Sequence, residues 1–62
     1  MLIRTIEQFL RETEMAPTRF GRLAVRDPRF VLDLRNGREP RPSMERRVHL
    51  FIARERSAQH GR

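Results

Sequence analysis

The sequence predicts an all-α fold built from four, or at most five, short helices around one small core. Apolar residues recur at the three- and four-residue spacing of a helix in four separate segments, with prolines or glycines in the connections. The chain has 62 residues and no cysteine, which is near the lower limit for a domain without disulfides or metals. We therefore expect one domain over residues 1–56 and a flexible basic tail over residues 57–62.

The first helix is predicted over residues 6–14. Thr5 and Gln8 have the Thr-x-x-Gln spacing of a capping box, in which two side chains satisfy backbone N–H groups at a helix start. Three apolar residues then share one side of the helix: Ile6, Phe9 and Leu10. That side is expected to face the core.

A second helix is predicted over residues 17–25. Pro17 suits its first turn because the φ of proline is already helical and the missing N–H would be unpaired there. The expected inward side chains are Phe20, Leu23 and Ala24. Gly21 would cost about 1 kcal/mol relative to Ala in an exposed helix, so we expect a neighbouring helix to cross close to it.

A third helix is predicted over residues 28–35. Asp27 would be its N-cap and Pro28 its first residue, and Gly37 would end it in the left-handed conformation. The inward side would carry Phe30, Val31 and Leu34, and the opposite side Arg29, Leu32, Asp33 and Asn36.

The fourth helix is predicted over residues 44–55, after a stiff connector that contains Pro40 and Pro42. Ser43 would be its N-cap. Its core side chains would be Met44, Val48 and Phe51, with Ile52 as a further candidate.

The charge of the chain favours a polyanionic partner. The formal net charge is +6, and all fourteen basic residues are arginine, whose guanidinium matches phosphate oxygens and guanine edges. The central segment, residues 17–42, carries seven arginines and three carboxylates, a net charge of +4. This segment is the expected contact surface.

Other classes of function lack the residues that they need. No nucleophile stands beside a base, and His49 and His60 alone cannot form a metal site, so we expect no enzymatic activity, no cofactor and no metal. No apolar run approaches the ~18–20 residues that span a bilayer, and the N-terminus lacks a secretory signal pattern. We expect a cytoplasmic, nucleoid-associated protein without membrane contact.

Two short helices joined by a tight turn, the second with a polar outer face, are what a helix-turn-helix requires. Over about residues 5–53 the chain resembles the helix-turn-helix domains of the lambda repressor/Cro (XRE-like) superfamily, and most closely short uncharacterised helix-turn-helix proteins of alphaproteobacteria. The similar stretches are Ala16 to Gly21, Val31, Leu34, Arg35 to Arg38 and Pro42 to Glu45. The chain departs from the family at Val25-Arg26, where Gly and an apolar residue are usual, and at Ala16, where Ser or Thr is common.

The resemblance implies which residues would contact DNA. Those facing the bases in the major groove would be Arg29, Leu32 and Asp33. Those facing phosphates would be Thr18, Arg19, Arg26, Asn36 and Arg38. Arg35 and Arg41 are further expected phosphate contacts, because they lie in the exit segment of the third helix. The alternatives are that Arg29 and Asp33 form an ordinary surface pair four residues apart, and that Leu32 is merely exposed. For Arg35, Arg38 and Arg41 the alternative is the solvated charge of an ordinary basic loop.

We accordingly expect a sequence-specific, double-stranded DNA-binding protein that regulates transcription in a bacterium, with a homodimer on DNA as one option. One alternative is an interaction module that keeps the helix-turn-helix frame and binds RNA polymerase, a sigma factor or another regulator. The other alternative is a nonspecific nucleoid-type binder of DNA or RNA.

Overall fold

The computed structural model describes residues 2–60, and it contains four helices over that range and no strand. Helix α1 spans Leu2–Thr13, α2 spans Pro17–Val25, α3 spans Phe30–Arg35 and α4 spans Pro42–His60. Helix α2 packs against both α3 and α4, and α1 packs against α3. The prediction of a small, all-α, four-helix fold is confirmed.

The core is formed by apolar side chains from all four helices, and it includes two buried phenylalanine rings in contact with a third ring at its edge. The ring centroids of Phe9 and Phe20 are 5.7 Å apart, and those of Phe20 and Phe51 are 5.4 Å apart, both with edge-on geometry. Such pairs add to the burial of apolar surface. The buried apolar residues are Ile6, Phe9, Leu10, Phe20, Ala24, Val25, Phe30, Val31, Leu34, Val48 and Ile52.

The prediction of a buried side chain is wrong for one residue, and two other predicted core residues are only half-buried. Leu23 has 50% of its surface exposed, and Val25 is buried on α2 instead, because the inward face of that helix consists of Phe20, Gly21, Ala24 and Val25. Met44 and Phe51 are half-buried at the edge of the core.

Helix α1 begins earlier than predicted. It starts at Leu2, so Thr5 lies inside the helix and the predicted capping box is wrong. Leu2 and Ile3 extend the apolar stripe of α1 and pack against the core. This packing stabilises an additional helical turn before the predicted start. The Gln8 side chain donates instead to the Glu12 carboxylate, one turn further along, at 3.3 Å.

Helix α4 is longer than predicted at both ends. It begins at Pro42, and the Glu45 N–H donates to the Arg41 carbonyl oxygen at 3.0 Å, so Ser43 lies in the first turn and is not the cap. Proline is tolerated at this position because its missing N–H is not needed. Residues 57–60, predicted as part of a flexible tail, continue the helix, while residues 61–62 lie outside the described range. An ion pair between Arg56 and Glu12, 3.0 Å, ties this end of α4 to α1.

Helix α3 begins at Phe30, two residues later than predicted. Pro28 and Arg29 form a turn in which Asp27 Oδ1 accepts from the Arg29 N–H at 3.0 Å. Asp27 therefore caps this turn, and not a helix that starts at Pro28. The other end follows the prediction: Gly37 has a φ of +96° and the Arg38 N–H donates to the Asp33 carbonyl oxygen, the pattern of a Schellman motif.

The close approach expected at Gly21 is made by the backbone of the turn after α2, and not by a crossing helix. The Asp27 N–H donates to the Gly21 carbonyl oxygen at 3.0 Å. A Cβ at position 21 would overlap the Asp27 carbonyl oxygen and lie 3.4 Å from the Phe30 Cβ. Only glycine leaves room for the chain to turn from α2 into α3 at this point.

No helix within residues 2–60 combines the length and apolar character needed to cross a bilayer.

Gly21→Ala should destabilise the protein by about 1–3 kcal/mol, because the added methyl group meets rigid backbone. Elsewhere in a helix Ala is favoured over Gly by about 1 kcal/mol. Urea unfolding followed by circular dichroism measures the difference.

The matched control is Ala53→Gly at an exposed position of α4, which should lower stability by the ordinary propensity difference. If the Gly21→Ala protein were as stable as the wild type, the close contact between position 21 and the Asp27 backbone would not constrain the fold.

Candidate nucleic-acid interface

Helices α2 and α3 are joined by a turn of four residues, 26–29, that sets their relative position. Arg26 ends α2 in the left-handed conformation with a φ of +60°, and its N–H donates to the Arg22 carbonyl oxygen at 3.1 Å. This is an unfavourable conformation for a residue with a Cβ. The resemblance places a glycine near this point, and here an arginine adopts the conformation that glycine would favour.

The outward face of α3 and of the residues flanking it is exposed. Arg29 precedes the helix, Leu32 lies in its first turn and Asn36 follows it, and all three are exposed. Leu32 has 42% of its surface accessible. Among the described residues no carboxylate forms an ion pair with Arg29. A cation and an apolar side chain are thus presented together.

The Asp33 carboxylate is bound by Arg38 and does not pair with Arg29. The Nη1 atom of Arg38 lies 3.0 Å from Asp33 Oδ2 and 3.9 Å from Asp27 Oδ2. The turn at Gly37 causes this, because it brings the chain back toward the last residues of α3. Arg38 therefore links the exit of α3 to the turn before it.

Arg35 is turned toward α1. Its Nε and Nη2 atoms donate to the two carboxylate oxygens of Glu7 at 2.7 and 2.8 Å, a two-bond pairing that crosses between the helices. These hydrogen bonds hold the pKa of Glu7 below its usual value and raise the pKa of Arg35. Arg35, predicted to contact phosphate, is engaged within the protein.

The other predicted phosphate contacts are exposed. Thr18 and Arg19 lie in the first turn of α2, Arg26 lies in the turn before α3, and Arg41 immediately precedes α4. None of these three arginines forms an ion pair in the described part of the chain.

Arg22 belongs with this group, although the sequence analysis did not single it out. It is exposed on α2, three residues after Arg19, and it has no carboxylate partner within residues 2–60. The three-residue spacing on one helix was the signal that could have revealed it. Arg19, Arg22, Arg26, Arg29 and Arg41, which we call the unpaired arginines, all belong to the segment expected to bind a polyanion.

No metal site accompanies these residues: histidines, aspartates and glutamates form no group of three or more suited to a metal ion in the described range.

Comparison with known proteins adds no relative: no family model, no curated protein and no solved structure matches this chain.

The ion pair between Glu7 and Arg35 should make stability depend on pH. Folding lowers the pKa of Glu7 below 4.5, so its contribution is present above that value and is lost as the pH falls through the lowered pKa. Glu7→Gln should reduce stability at neutral pH by about 1 kcal/mol or less, as expected for a pair near the surface. Urea unfolding from about pH 7 to pH 2.5 should show the two proteins converging in acid.

Glu39→Gln is the control, because Glu39 is exposed and has no ion-pair partner among the described residues. If the deficit of Glu7→Gln stayed constant into acid, the pairing with Arg35 would not be its cause.

Proposed function

We propose that this protein binds double-stranded DNA in a sequence-specific manner and regulates transcription by occupying its site. The observation that carries the proposal is the juxtaposition of an exposed Arg29 and Leu32 on the outer face of α3 with the unpaired arginines on the adjoining segments. Helix α3 would lie in the major groove, which is wide enough for one helix, and α2 would cross the backbone.

Arg29 and Leu32 are the proposed base-reading residues. A guanidinium can donate two hydrogen bonds to O6 and N7 of guanine, and a leucine can contact the methyl group of thymine. Because α3 has only six residues, it can present few side chains to the bases, and we expect it to read a short sequence. Asp33 is not proposed to read a base. Its carboxylate pairs with Arg38, and we propose that this pair fixes the position of the segment that leaves α3.

The unpaired arginines other than Arg29 are proposed to hold phosphates, together with Thr18 and Asn36. Among the described residues these arginines have no ion pair that must break before they contact DNA. Arg35 and Arg38, in contrast, would have to separate from a carboxylate. With about four to six phosphates neutralised, log K should fall by about 0.9 per phosphate for each tenfold increase in salt.

Arg29→Ala should reduce base preference at one position of the site by about 1–3 kcal/mol, since it removes the proposed contact with guanine. Selection of bound fragments from a random duplex pool, followed by titration of the selected duplex and its point variants, measures the effect. The same selection reports whether the site is a single element or a palindrome bound by a dimer.

Arg4→Ala is the matched control, because Arg4 is an exposed arginine on α1 outside the proposed interface and its loss changes the net charge equally. Equal recovery of scrambled and selected duplexes by the wild type would favour the nonspecific binder. No duplex binding at low salt would refute the proposal.

Arg26→Gly should weaken binding to every duplex while leaving the protein as stable as before, or more stable by up to about 1 kcal/mol. Glycine adopts the positive φ at position 26 without the cost borne by arginine, but it removes a proposed phosphate contact. Thermal unfolding and fluorescence anisotropy with a labelled duplex measure the two quantities.

Glu14→Gly relieves the same kind of strain at a φ of +58° at the end of α1, and it should leave phosphate contacts intact. A parallel change in DNA affinity for both variants would place the effect in the fold and remove Arg26 from the proposed interface.

A further inference from the structure

A second surface, formed by α2 and α4, has features that the proposed DNA contact does not use. Leu23 on α2 and Leu50 on α4 are 50% and 56% exposed, and both line one shallow cavity of about 240 Å³. The half-buried Phe51 also lines it. We call this the α2–α4 groove; its lining residues are Leu23, Ala24, Arg47, Leu50, Phe51 and Arg54.

The size of the groove suits the side chains of another protein. Sites that enclose a small molecule have cavities of about 300–1,000 Å³, and this one is smaller. Two exposed leucines on separate helices, with a half-buried phenylalanine lining the same cavity, instead resemble the hydrophobic grooves that bind the apolar face of a helix.

The charge around the groove has one sign. Arg47 and Arg54 stand one turn before and one turn after Leu50 on α4, and neither forms an ion pair in the described part of the chain. The described residues that line the groove include no carboxylate. Opposite charge on a partner would therefore be attracted, and like charge repelled.

The positive charge around the groove distinguishes between three possible ligands: a second copy of the chain, a DNA duplex and an acidic segment of another protein. A second copy related by a two-fold axis would bring Arg47 and Arg54 toward the same residues of its partner, since such an interface repeats one surface on both sides. A duplex would place phosphates against the apolar centre of the groove, whereas DNA interfaces are polar and strongly basic. An acidic segment with an apolar face satisfies both the leucines and the arginines.

We propose that the α2–α4 groove binds an acidic amphipathic helix of another protein. Apolar side chains three or four residues apart on that helix insert between Leu23 and Leu50, and carboxylates beside them pair with Arg47 and Arg54. Such a small contact belongs to the weak, transient class of interfaces. The proposal does not depend on DNA binding, because it uses none of the residues assigned to the bases or phosphates.

The test uses the full chain, labelled with ¹⁵N, and a synthetic helical peptide with leucines at helical spacing flanked by glutamates. Amide shifts should cluster at Leu23, Ala24, Leu50 and Phe51. A scrambled peptide of the same composition, and a peptide with lysine in place of glutamate, should each bind at least about tenfold more weakly, a loss of about 1.4 kcal/mol.

The double variant Leu23→Gln/Leu50→Gln should lose at least about tenfold in peptide affinity. Both side chains are half-exposed, so the fold should persist, which circular dichroism checks. Leu32→Gln is the matched control: it makes the same change at an exposed leucine of α3 and should leave peptide affinity unchanged. Duplex binding by the double variant should equal that of the wild type.

Three results would overturn the proposal. Equal binding of the scrambled peptide would reduce the contact to charge alone. Sedimentation that showed a dimer dispersed by the double variant would assign the groove to a second copy. Duplex-induced shifts at Leu50 and Phe51 on α4 would assign it to DNA. A reduced base preference in Arg29→Ala, with peptide binding intact, would show that the two surfaces act separately.

Discussion

The contact between the backbone of Asp27 and the face of Gly21 is the constraint on which the arrangement of α2 and α3 depends. The chain can leave α2 and return toward it only because position 21 has no side chain. The hydrogen bond from the Asp27 N–H to the Gly21 carbonyl oxygen closes the turn, and the Asp27 side chain then organises Arg29 at the entry to α3. The placement of the outer face of α3 follows from this packing.

Carboxylates decide which arginines remain available to a ligand. Arg35, Arg38 and Arg56 are each held by a carboxylate from another part of the chain, and these pairs tie α1 to α3, the α3 exit to the turn before it, and α1 to α4. Ion pairs near a surface contribute little to stability individually. Their larger effect here is to engage three surface guanidinium groups with carboxylates of the chain itself, so that these three are less available to a ligand than Arg29 or Arg47.

Helix α2 borders both of these surfaces. Its first turn carries Thr18 and Arg19, which are proposed to contact DNA, while Leu23 faces α4 across the groove. A small domain with one core can present two ligand surfaces in this way because a helix of nine residues buries only one side. Taken together, the proposed DNA contact and the proposed groove describe a protein that brings a second protein to its DNA site.

Much of the fold was determined by the sequence alone, since helical spacing, Pro17 and Gly37 act locally. They predicted four helices, the bounds of α2, the end of α3 and most of the core. Gly21 predicted that another segment approaches α2 closely, but not which segment. The identity of that segment depends on the path of the turn after α2, which brings the Asp27 backbone against Gly21. The tertiary structure alone decided the pairing of Asp33 with Arg38 and of Arg35 with Glu7, the exposure of Leu23 and the extension of α1 and α4. These depend on which side chains meet after packing. Glu7 and Arg35 stand 28 residues apart and leave no periodic signal along the chain, and Arg38 reaches Asp33 only because the chain turns back at Gly37.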